Sequence, residues 1–212
     1  MELWNDLVTE KSKELLFQLK ETTNFVLIGG WAVWLYSQAL KSKDIDIYIN
    51  FDDFFKMQNF FINKGLSINL NPKLDKYEVK VEDIDIDIYT PHHCNLIIPC
   101  KDVFEKRSIK SIEGFKVVIP EALLIMKIEA EEKRHGTIKG FKDRIDILSL
   151  LYKANINKAL LKNLAKIYNL DLRKLIEIIK QSSKEYAYLS QELEDLRKLK
   201  KLKIELIKKY RF

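Results

Sequence analysis

Residues 25–49, FVLIGGWAVWLYSQALKSKDIDIYI, set the order of the elements on which the fold depends. The apolar run Phe25–Ile28 predicts a short strand that ends at Gly29-Gly30. Residues 31–36 have neither alternation nor a helix breaker, so they predict a buried helix that starts at the glycines. Strict alternation of polar and apolar residues from Asp44 to Ile49 predicts a second strand. The stretch therefore predicts a strand, a glycine turn, a helix and a strand, in that order.

In the rest of the chain, the predicted secondary structure changes at Pro120. Before it, the patterns predict a helix over 2–21, a helix over 52–63, strands over 66–70 and 76–89, and a hairpin from 109–112 to 115–119. After it, helical periodicity extends over 121–135, 140–153, 157–168, 171–181 and 185–209. We therefore expect an α/β (α+β) domain over residues 1–119 and a C-terminal helical domain over residues 120–212, packed on the first.

Composition excludes several classes of protein. The 212 residues are 47% hydrophobic and 32% charged, a balance that argues against disorder. No apolar run approaches the roughly 18–20 residues that span a membrane. The first residues lack the pattern of a secretory signal, and two cysteines fit a reducing compartment, so we expect a cytoplasmic location. A zinc site is not predicted, because no zinc-ligand spacing matches that of His92, His93, Cys94 and Cys100. These residues instead predict the end of a strand followed by a turn.

The positive charge is concentrated at the C-terminus. The chain has a formal net charge of +6, but residues 197–212 contain eight Lys or Arg and one acidic residue, Glu205. The remaining 29 basic and 30 acidic residues give the rest of the chain a net charge of −1. The segment predicts an amphipathic, separable helix with a cationic face. Such a face is often simply solvated, but it would also suit RNA or an acidic protein partner, and it lacks the wide apolar side needed for a membrane.

The alternating strand over residues 44–49 places two carboxylates together. Asp44 and Asp46 are two residues apart, so in a strand they project from one face and repel each other unless a cation neutralises them. Carboxylate oxygens suit Mg²⁺ or Mn²⁺, and the backbone N–H groups of Gly29 and Gly30 can approach a phosphate. The alternative is an edge strand with a solvated acidic face behind an ordinary turn.

A second acidic strand strengthens the case for a metal site. Asp83, Asp85 and Asp87 alternate with isoleucines, and one of them would complete a carboxylate triad if the two strands are neighbours. Two metal ions roughly 3.5–4 Å apart could then align an attacking hydroxyl with a nucleotide phosphate. Alternation alone does not decide among the three, but we expect Asp87, with Asp85 as the alternative.

Charged residues also mark the helices after Pro120. Lys127 and Arg134 fall near an otherwise apolar helix stripe, and burying an unpaired charge is costly, so Lys127 needs an anionic partner. A triphosphate or the acidic strands would serve. Lys142 and Asp143 open the next helix, with Asp146 on the same face as Asp143. The alternative for these two aspartates is a set of structural salt bridges between helices.

These residues carry a resemblance to a known superfamily. Gly29-Gly30-Trp31-Ala32 followed by Lys41-Ser42-Lys43-Asp44-Ile45-Asp46 resembles the signature of the polymerase β-like nucleotidyltransferases. The block with Lys127, Arg134, Lys142-Asp143-Arg144 and Asp146 resembles the AbiEii-like branch, which includes toxins of toxin–antitoxin pairs. The likeness spans about residues 24–150. Leu40 stands where the family often has Arg, with Lys41 beside it, while Ser42 stands where the family has Ser or Thr.

The resemblance implies a nucleotidyltransferase-type mixed sheet flanked by helices and a metal-dependent transfer of a nucleoside monophosphate from an NTP to a hydroxyl. It implies that Asp44, Asp46 and Asp87 hold Mg²⁺ or Mn²⁺. Gly29, Gly30, Lys41, Ser42 and Lys142 would contact the nucleotide, and Lys127 would neutralise developing charge. The acceptor would be an RNA, such as a tRNA end, a protein or a small molecule. The alternatives are a non-catalytic nucleotide- or partner-binding module and a toxin–antitoxin component with a cognate protein partner.

Overall fold

The computed structural model describes residues 5–105 and 108–211. The described residues fall into two compact units. One contains residues 5–35 and 41–119 and is called the sheet unit. The other contains residues 36–40 and 120–211 and is called the helical unit.

Seven strands of the described chain form one sheet. They are β1 (Val26–Ile28), β2 (Ile45–Tyr48), β3 (Asn69–Asn71), β4 (Lys76–Val81), β5 (Ile84–Tyr89), β6 (Ile109–Ile112) and β7 (Phe115–Val118), in the spatial order β3-β4-β5-β2-β1-β7-β6. β2 and β5 are parallel, as are β1 and β7, and the other neighbouring pairs are antiparallel. The expected α/β (α+β) class with a mixed sheet is confirmed.

The helices of the first 119 residues are α1 (Asp6–Thr22), α2 (Gly29–Ser37), α3 (Phe51–Ile62) and α4 (Cys100–Glu105). Local chemistry sets their starts: the side chain of Asn50 accepts a hydrogen bond from the Asp53 N–H at 2.9 Å and caps α3. Trp31 of α2 is buried and donates its indole N–H to the Ser12 hydroxyl of α1 at 2.9 Å. This bond satisfies the polar atom of a large buried side chain and ties α2 to α1.

The helical unit contains α5 (Pro120–Lys133), α6 (Ile138–Lys153), α7 (Lys158–Ile167), α8 (Arg173–Gln181) and α9 (Leu196–Tyr210), with short 3₁₀ turns at Lys184–Tyr188 and Gln191–Glu194. Pro120 occupies the first position of α5, where its missing N–H is not needed. Thr137 caps α6 by accepting a hydrogen bond from the Gly140 N–H at 3.0 Å. Among the helices of the described residues, none combines the length and apolar character required to cross a membrane.

Several predicted boundaries are wrong. The predicted strand over 66–70 begins only at Asn69, and the predicted strand over 76–89 is a hairpin with a turn at Glu82-Asp83. Alternation cannot reveal a two-residue turn, because the turn preserves the polar–apolar pattern on both sides. Helix α4 begins at Cys100, where the sequence predicted only a turn. Helix α1 begins at Asp6, and residues 2–4 of the predicted helix lie outside the described residues.

The predicted helix over 185–209 is also wrong. Two 3₁₀ turns precede α9, which starts at Leu196. Asp195 caps it: its carboxylate accepts hydrogen bonds from the N–H groups of Arg197 and Lys198 at 2.7 and 3.4 Å. Such a cap favours a new helix start over continuation of an earlier one.

Helix α9 is not a separable tail. Leu199, Leu206 and Tyr210 are buried within the helical unit, and Lys203 donates a hydrogen bond to the Lys180 carbonyl of α8 at 3.0 Å. The opposite face is cationic and exposed, with Arg197, Lys198, Lys200, Lys201, Lys208 and Lys209 in solvent. One face of α9 therefore forms part of the core of the helical unit, and the other carries most of the chain's surplus positive charge.

Candidate active site

Two aspartates lie side by side on neighbouring strands of the sheet unit. The parallel pairing of β2 with β5 places Asp46 directly beside Asp87, between the pairs Ile45–Ile86 and Ile47–Ile88. All four isoleucines are buried, so the two acidic residues share the opposite face. The structure thus brings together Asp46 and the residue preferred as the third carboxylate.

The other candidate carboxylates are placed differently. Asp44 precedes β2, in a bend, so strand alternation does not set its direction, and it is half-buried. Asp85 is exposed and pairs in register with Lys80 of β4. Asp83, which was expected on the strand, lies in the β4–β5 turn and is exposed. Only Asp87 of the three is next to Asp46.

Gly29, at the end of β1, lies against the carboxylate of Asp46. It follows Ile28, which pairs with Asp46, and its φ of +65° lies in the left-handed region that favours glycine. A Cβ at position 29 would lie 2.0 Å from Oδ2 of Asp46 and 2.6 Å from its Cγ. The absence of a side chain therefore leaves the space that the Asp46 carboxylate occupies. Gly30 follows within α2 and is buried.

Lys76 of β4 lies against the pair of carboxylates formed by Asp46 and Asp87. Its Nζ lies 2.5 Å from Oδ2 of Asp87 and 2.9 Å from Oε1 of Glu78. Burial and the nearby Asp46 charge raise the pKa of Asp87 to about 6, although the bond from Lys76 opposes the shift. Burial would lower the pKa of Lys76, but its bonds to Asp87 and Glu78 outweigh burial and raise it. Buried Lys76 and half-buried Asp87 thus form an ion pair beside a second carboxylate.

Lys41 and Ser42, the two residues of the loop before β2 that were expected to contact the nucleotide, have different surroundings. Ser42 is buried, whereas Lys41 is half-buried and forms an ion pair with Glu10 of α1. Both belong to the sheet unit, as do Gly29, Asp46 and Asp87. Lys41 therefore already has an anionic partner, and its role toward a nucleotide stays a prediction.

Lys127 lies in the helical unit, within a buried network. Its Nζ lies 3.0 Å from Oδ1 of Asp143 and 2.6 Å from Oδ2 of Asp146, and both aspartate side chains are 1% exposed. Arg134 adds two bonds to Asp143, at 2.6 and 3.1 Å. The anionic partners that Lys127 needs therefore come from α6. An active-site role for Lys127 stays a prediction.

The same network gives Lys142 an anionic partner and favours the ionised form of Asp143. Lys142 is buried and its Nζ lies 3.3 Å from Oδ2 of Asp146, one helical turn away. Burial alone would raise the pKa of Asp143, but the charges of Lys127 and Arg134 outweigh burial and lower it. The salt bridges proposed as the alternative for Asp143 and Asp146 are present.

The donor set of the sheet unit suits a hard cation. Asp46 and Asp87 offer carboxylate oxygens on one face, and Gly29, which has no side chain, makes room for the Asp46 carboxylate. Across residues 5–105 and 108–211, however, no group of three or more His, Cys, Asp or Glu side chains is gathered tightly enough to hold a metal ion. The site as built is a pair of carboxylates, one of them already bonded to a lysine.

Comparison with known proteins identifies the fold. No family model and no curated protein matches the chain. Among solved structures, ANT(2'')-Ia in complex with adenylyl-2''-tobramycin aligns with a TM-score of 0.52 at 14% identity, over 78% of this chain and 98% of its own. A protein from Helicobacter pylori described as a nucleotidyltransferase aligns with a TM-score of 0.52 at 18% identity, over 97% of this chain and 96% of its own. The chain has the nucleotidyltransferase fold.

A third structure agrees. JHP933 from Helicobacter pylori aligns with a TM-score of 0.52 at 17% identity, covering 96% of this chain and 93% of its own. At 14–18% identity the likeness concerns the nucleotidyltransferase fold, and the roles of individual residues have to be judged from the geometry of this chain.

Sequence reasoning missed two residues beside the pair of carboxylates, Lys76 and Glu78. A signal for them was present, because Lys76, Glu78 and Lys80 alternate with Tyr77 and Val79. Had the β4–β5 turn been recognised, the hairpin register would have paired Glu78 with Asp87. Lys76 would then have been placed diagonally across from Asp87, within reach of a long side chain.

Proposed function

We propose that the protein is a metal-dependent nucleotidyltransferase that transfers a nucleoside monophosphate from an NTP to an acceptor hydroxyl. The observation that carries the proposal is the pairing of Asp46 with Asp87 beside Gly29, at the end of β1 where α2 begins. Carboxylates for a cation and a glycine turn for phosphates are the two parts that such a transfer needs. The nucleotidyltransferase fold supports the same class of reaction.

The chain's own residues have separable roles in this proposal. Asp46 and Asp87 would hold Mg²⁺, with Asp44 as a further ligand after a change in the bend before β2. A bound Mg²⁺ would neutralise charge on the triphosphate and help to ionise the attacking hydroxyl. The backbone at Gly29-Gly30, at the N-terminus of α2, would bind phosphate oxygens, and Ser42 would contact the same group.

The reaction is a substitution at the α-phosphorus of the NTP. The acceptor oxygen forms a bond to that phosphorus, and the bond from the phosphorus to the oxygen bridging to the β-phosphate breaks. Pyrophosphate leaves with the electron pair of that bond, and the proton of the hydroxyl passes to solvent. The residues of the chain position these groups and form no covalent intermediate.

Label transfer tests this proposal. The protein is incubated with Mg²⁺, total RNA or total protein, and each NTP labelled either in the α- or in the γ-phosphate. Transfer of α-label alone supports nucleotidyl transfer, whereas transfer of γ-label would show phosphoryl transfer instead. The Asp44→Ala/Asp46→Ala protein is the control, and transfer that survives in it would contradict the proposal.

The basic face of α9 favours RNA as the acceptor. Six Lys or Arg residues between 197 and 209 are exposed on this helix. Contacts from such a face to phosphates would be electrostatic and independent of sequence, so RNA binding should weaken steeply with added salt. RNA in place of a protein acceptor is tested by whether the transferred label is sensitive to ribonuclease or to protease.

A second candidate function is a non-catalytic binding module. The favouring observations are the ion pair of Lys76 with Asp87 and the presence of Leu40 where related sequences often have Arg. A module of this kind would bind a nucleotide or a partner without chemistry. Calorimetry with Mg²⁺ and a nonhydrolysable NTP, combined with the label-transfer assay, separates the two: binding without transfer to any acceptor favours the module.

The biological setting implied by the AbiEii-like resemblance is a toxin–antitoxin pair with a cognate protein partner. Expression of the wild-type protein should then arrest growth, and the Asp46→Asn protein should not. Unimpaired growth in both cultures, at equal protein levels, would count against a toxin.

A further inference from the structure

Lys76 is the charged residue in closest contact with the carboxylate pair. Its side chain is 10% exposed and is held by Asp87 Oδ2 at 2.5 Å and Glu78 Oε1 at 2.9 Å. Lys76, Glu78 and Asp87 lie on one face of the β4–β5 hairpin, and Asp46 continues this face on β2. The ammonium therefore faces the side of the sheet on which a cation would bind.

The ammonium and a divalent cation would compete for the same oxygens. Lys76 already uses Oδ2 of Asp87, and a cation bound between Asp46 and Asp87 would place two positive charges within a few ångströms of the lysine. Like charges at that separation repel strongly in a partly buried site. We propose that Lys76 is a resident counter-ion of the carboxylate pair, which a divalent cation has to displace from Asp87. This inference rests on the proposed function, because it assumes that Asp46 and Asp87 form the metal site.

The Lys76 side chain can move away from Asp87 without losing every anionic partner. Glu78 is half-exposed and lies beside Lys76, so the lysine can keep one anionic partner when it leaves Asp87. In the metal-free protein, the lysine offsets the repulsion between Asp46 and Asp87 and keeps the carboxylates together. Lys76 is thus a positioning residue that weakens cation affinity and makes occupancy depend on cation concentration.

Mn²⁺ affinity tests this proposal directly, measured on the full chain by electron paramagnetic resonance and calorimetry at pH 8. Lys76→Met should bind Mn²⁺ at least about tenfold more tightly than the wild type, because one repelling charge has gone. Lys80→Met is the matched control: it removes the same charge from the same face of β4, but Lys80 is exposed and pairs with Asp85, so its affinity should stay within twofold. Lys76→Arg keeps the charge and should not tighten binding.

A second measurement uses the wild-type chain and does not depend on folding of a variant. The rate of lysine acylation, followed by peptide mass spectrometry, should rise at Lys76 when Mg²⁺ is added and stay constant at Lys80. Equal Mn²⁺ affinity in the wild type and Lys76→Met, or a Lys76 acylation rate unchanged at a saturating Mg²⁺ concentration, overturns this inference and leaves the proposed function standing. Absence of Mn²⁺ binding in every protein overturns both.

Discussion

Gly29 and the carboxylate of Asp46 are in direct contact: a methyl group at position 29 would lie 2.0 Å from Oδ2 of Asp46. The backbone at Gly29 also has a φ of +65°, which costs a residue with a side chain about 1–2 kcal/mol. Two independent constraints therefore require a glycine at position 29: the positive φ of its backbone and the close contact with the Asp46 carboxylate.

Gly29→Ala should disrupt the site beyond the cost of backbone strain. Gly65→Ala is a matched control, since Gly65 has a φ of +71° and a Cβ there would meet no atom within 4 Å. We expect both variants to lose about 1 kcal/mol of unfolding free energy from strain. Only Gly29→Ala should also lose Mn²⁺ binding, measured by calorimetry. Equal Mn²⁺ affinity in the two variants would show that Gly29 does not shape the site.

Asp87 should make the metal-free protein less stable as pH rises. Its folded pKa of about 6 lies above the ordinary value of 3.8, so its contribution to stability is fully present below pH 4 and is lost as pH rises through 6. Compared with Asp87→Asn, the wild type should lose about 2–3 kcal/mol of unfolding free energy between pH 4 and pH 8. Denaturant titrations in EDTA at both pH values measure this difference. A constant difference between the two proteins would mean that Asp87 is not perturbed.

Lys127 should be essential for the stability of the helical unit. Lys127→Met leaves Asp143 and Asp146, each 1% exposed, with fewer cationic partners, so we expect a loss of about 3 kcal/mol. The control is Lys133→Met on the same helix, which removes the ion pair of an exposed lysine with half-buried Glu129, and the loss should stay below about 0.5 kcal/mol. Thermal unfolding compares the two. A stable Lys127→Met protein that has lost only activity would assign Lys127 to catalysis instead.

The basic face of α9 should be tested by substitution, because deletion would remove buried residues. Leu199, Leu206 and Tyr210 belong to the core of the helical unit, so truncation before α9 should destabilise it. Replacing the exposed Lys198, Lys200, Lys201 and Lys208 by Ser should leave the melting temperature within a few degrees. RNA affinity should fall, and the slope of log K against log salt should decrease by up to about 3, if all four contact phosphates. An unchanged salt dependence would show that α9 is merely a solvated surface.

The sequence predicted much of the fold because its local signals agree with one another. The order from Val26 to Tyr48 follows from a short apolar run, two glycines and strict alternation, and each signal depends on neighbouring residues alone. The break before α9 was missed because a cap at Asp195 competes with helical periodicity that continues on both sides. The turn at Glu82-Asp83 was missed because alternation is the same in one strand and in a hairpin.

The site was predicted only in part for a related reason. Asp46 could be named from its own strand, but its pairing with Asp87 depends on the register of β2 with β5, which are far apart in sequence. Lys76 was missed because a lysine in a strand is usually solvent-exposed, and nothing local shows that two carboxylates hold it. For Lys127 the sequence suggested a triphosphate or the acidic strands as the anionic partner, whereas its ion pairs are with Asp143 and Asp146. Salt bridges between helices were predicted only as an alternative for these two aspartates, and nothing local shows which residue of α5 they meet.

If the Asp46–Asp87 pair supports nucleotidyl transfer, the rate of α-label transfer should depend on both aspartates, and single aspartate variants measure this dependence. Asp46→Asn and Asp87→Asn should each reduce the transfer rate by at least about a hundredfold, because each removes a charge that would hold the cation. Asp85→Asn, on the same strand but exposed and opposite Lys80, should retain a rate within about twofold of the wild type. Equal rates in Asp87→Asn and Asp85→Asn, or full activity in Asp46→Asn, would show that the Asp46–Asp87 pair does not support the transfer.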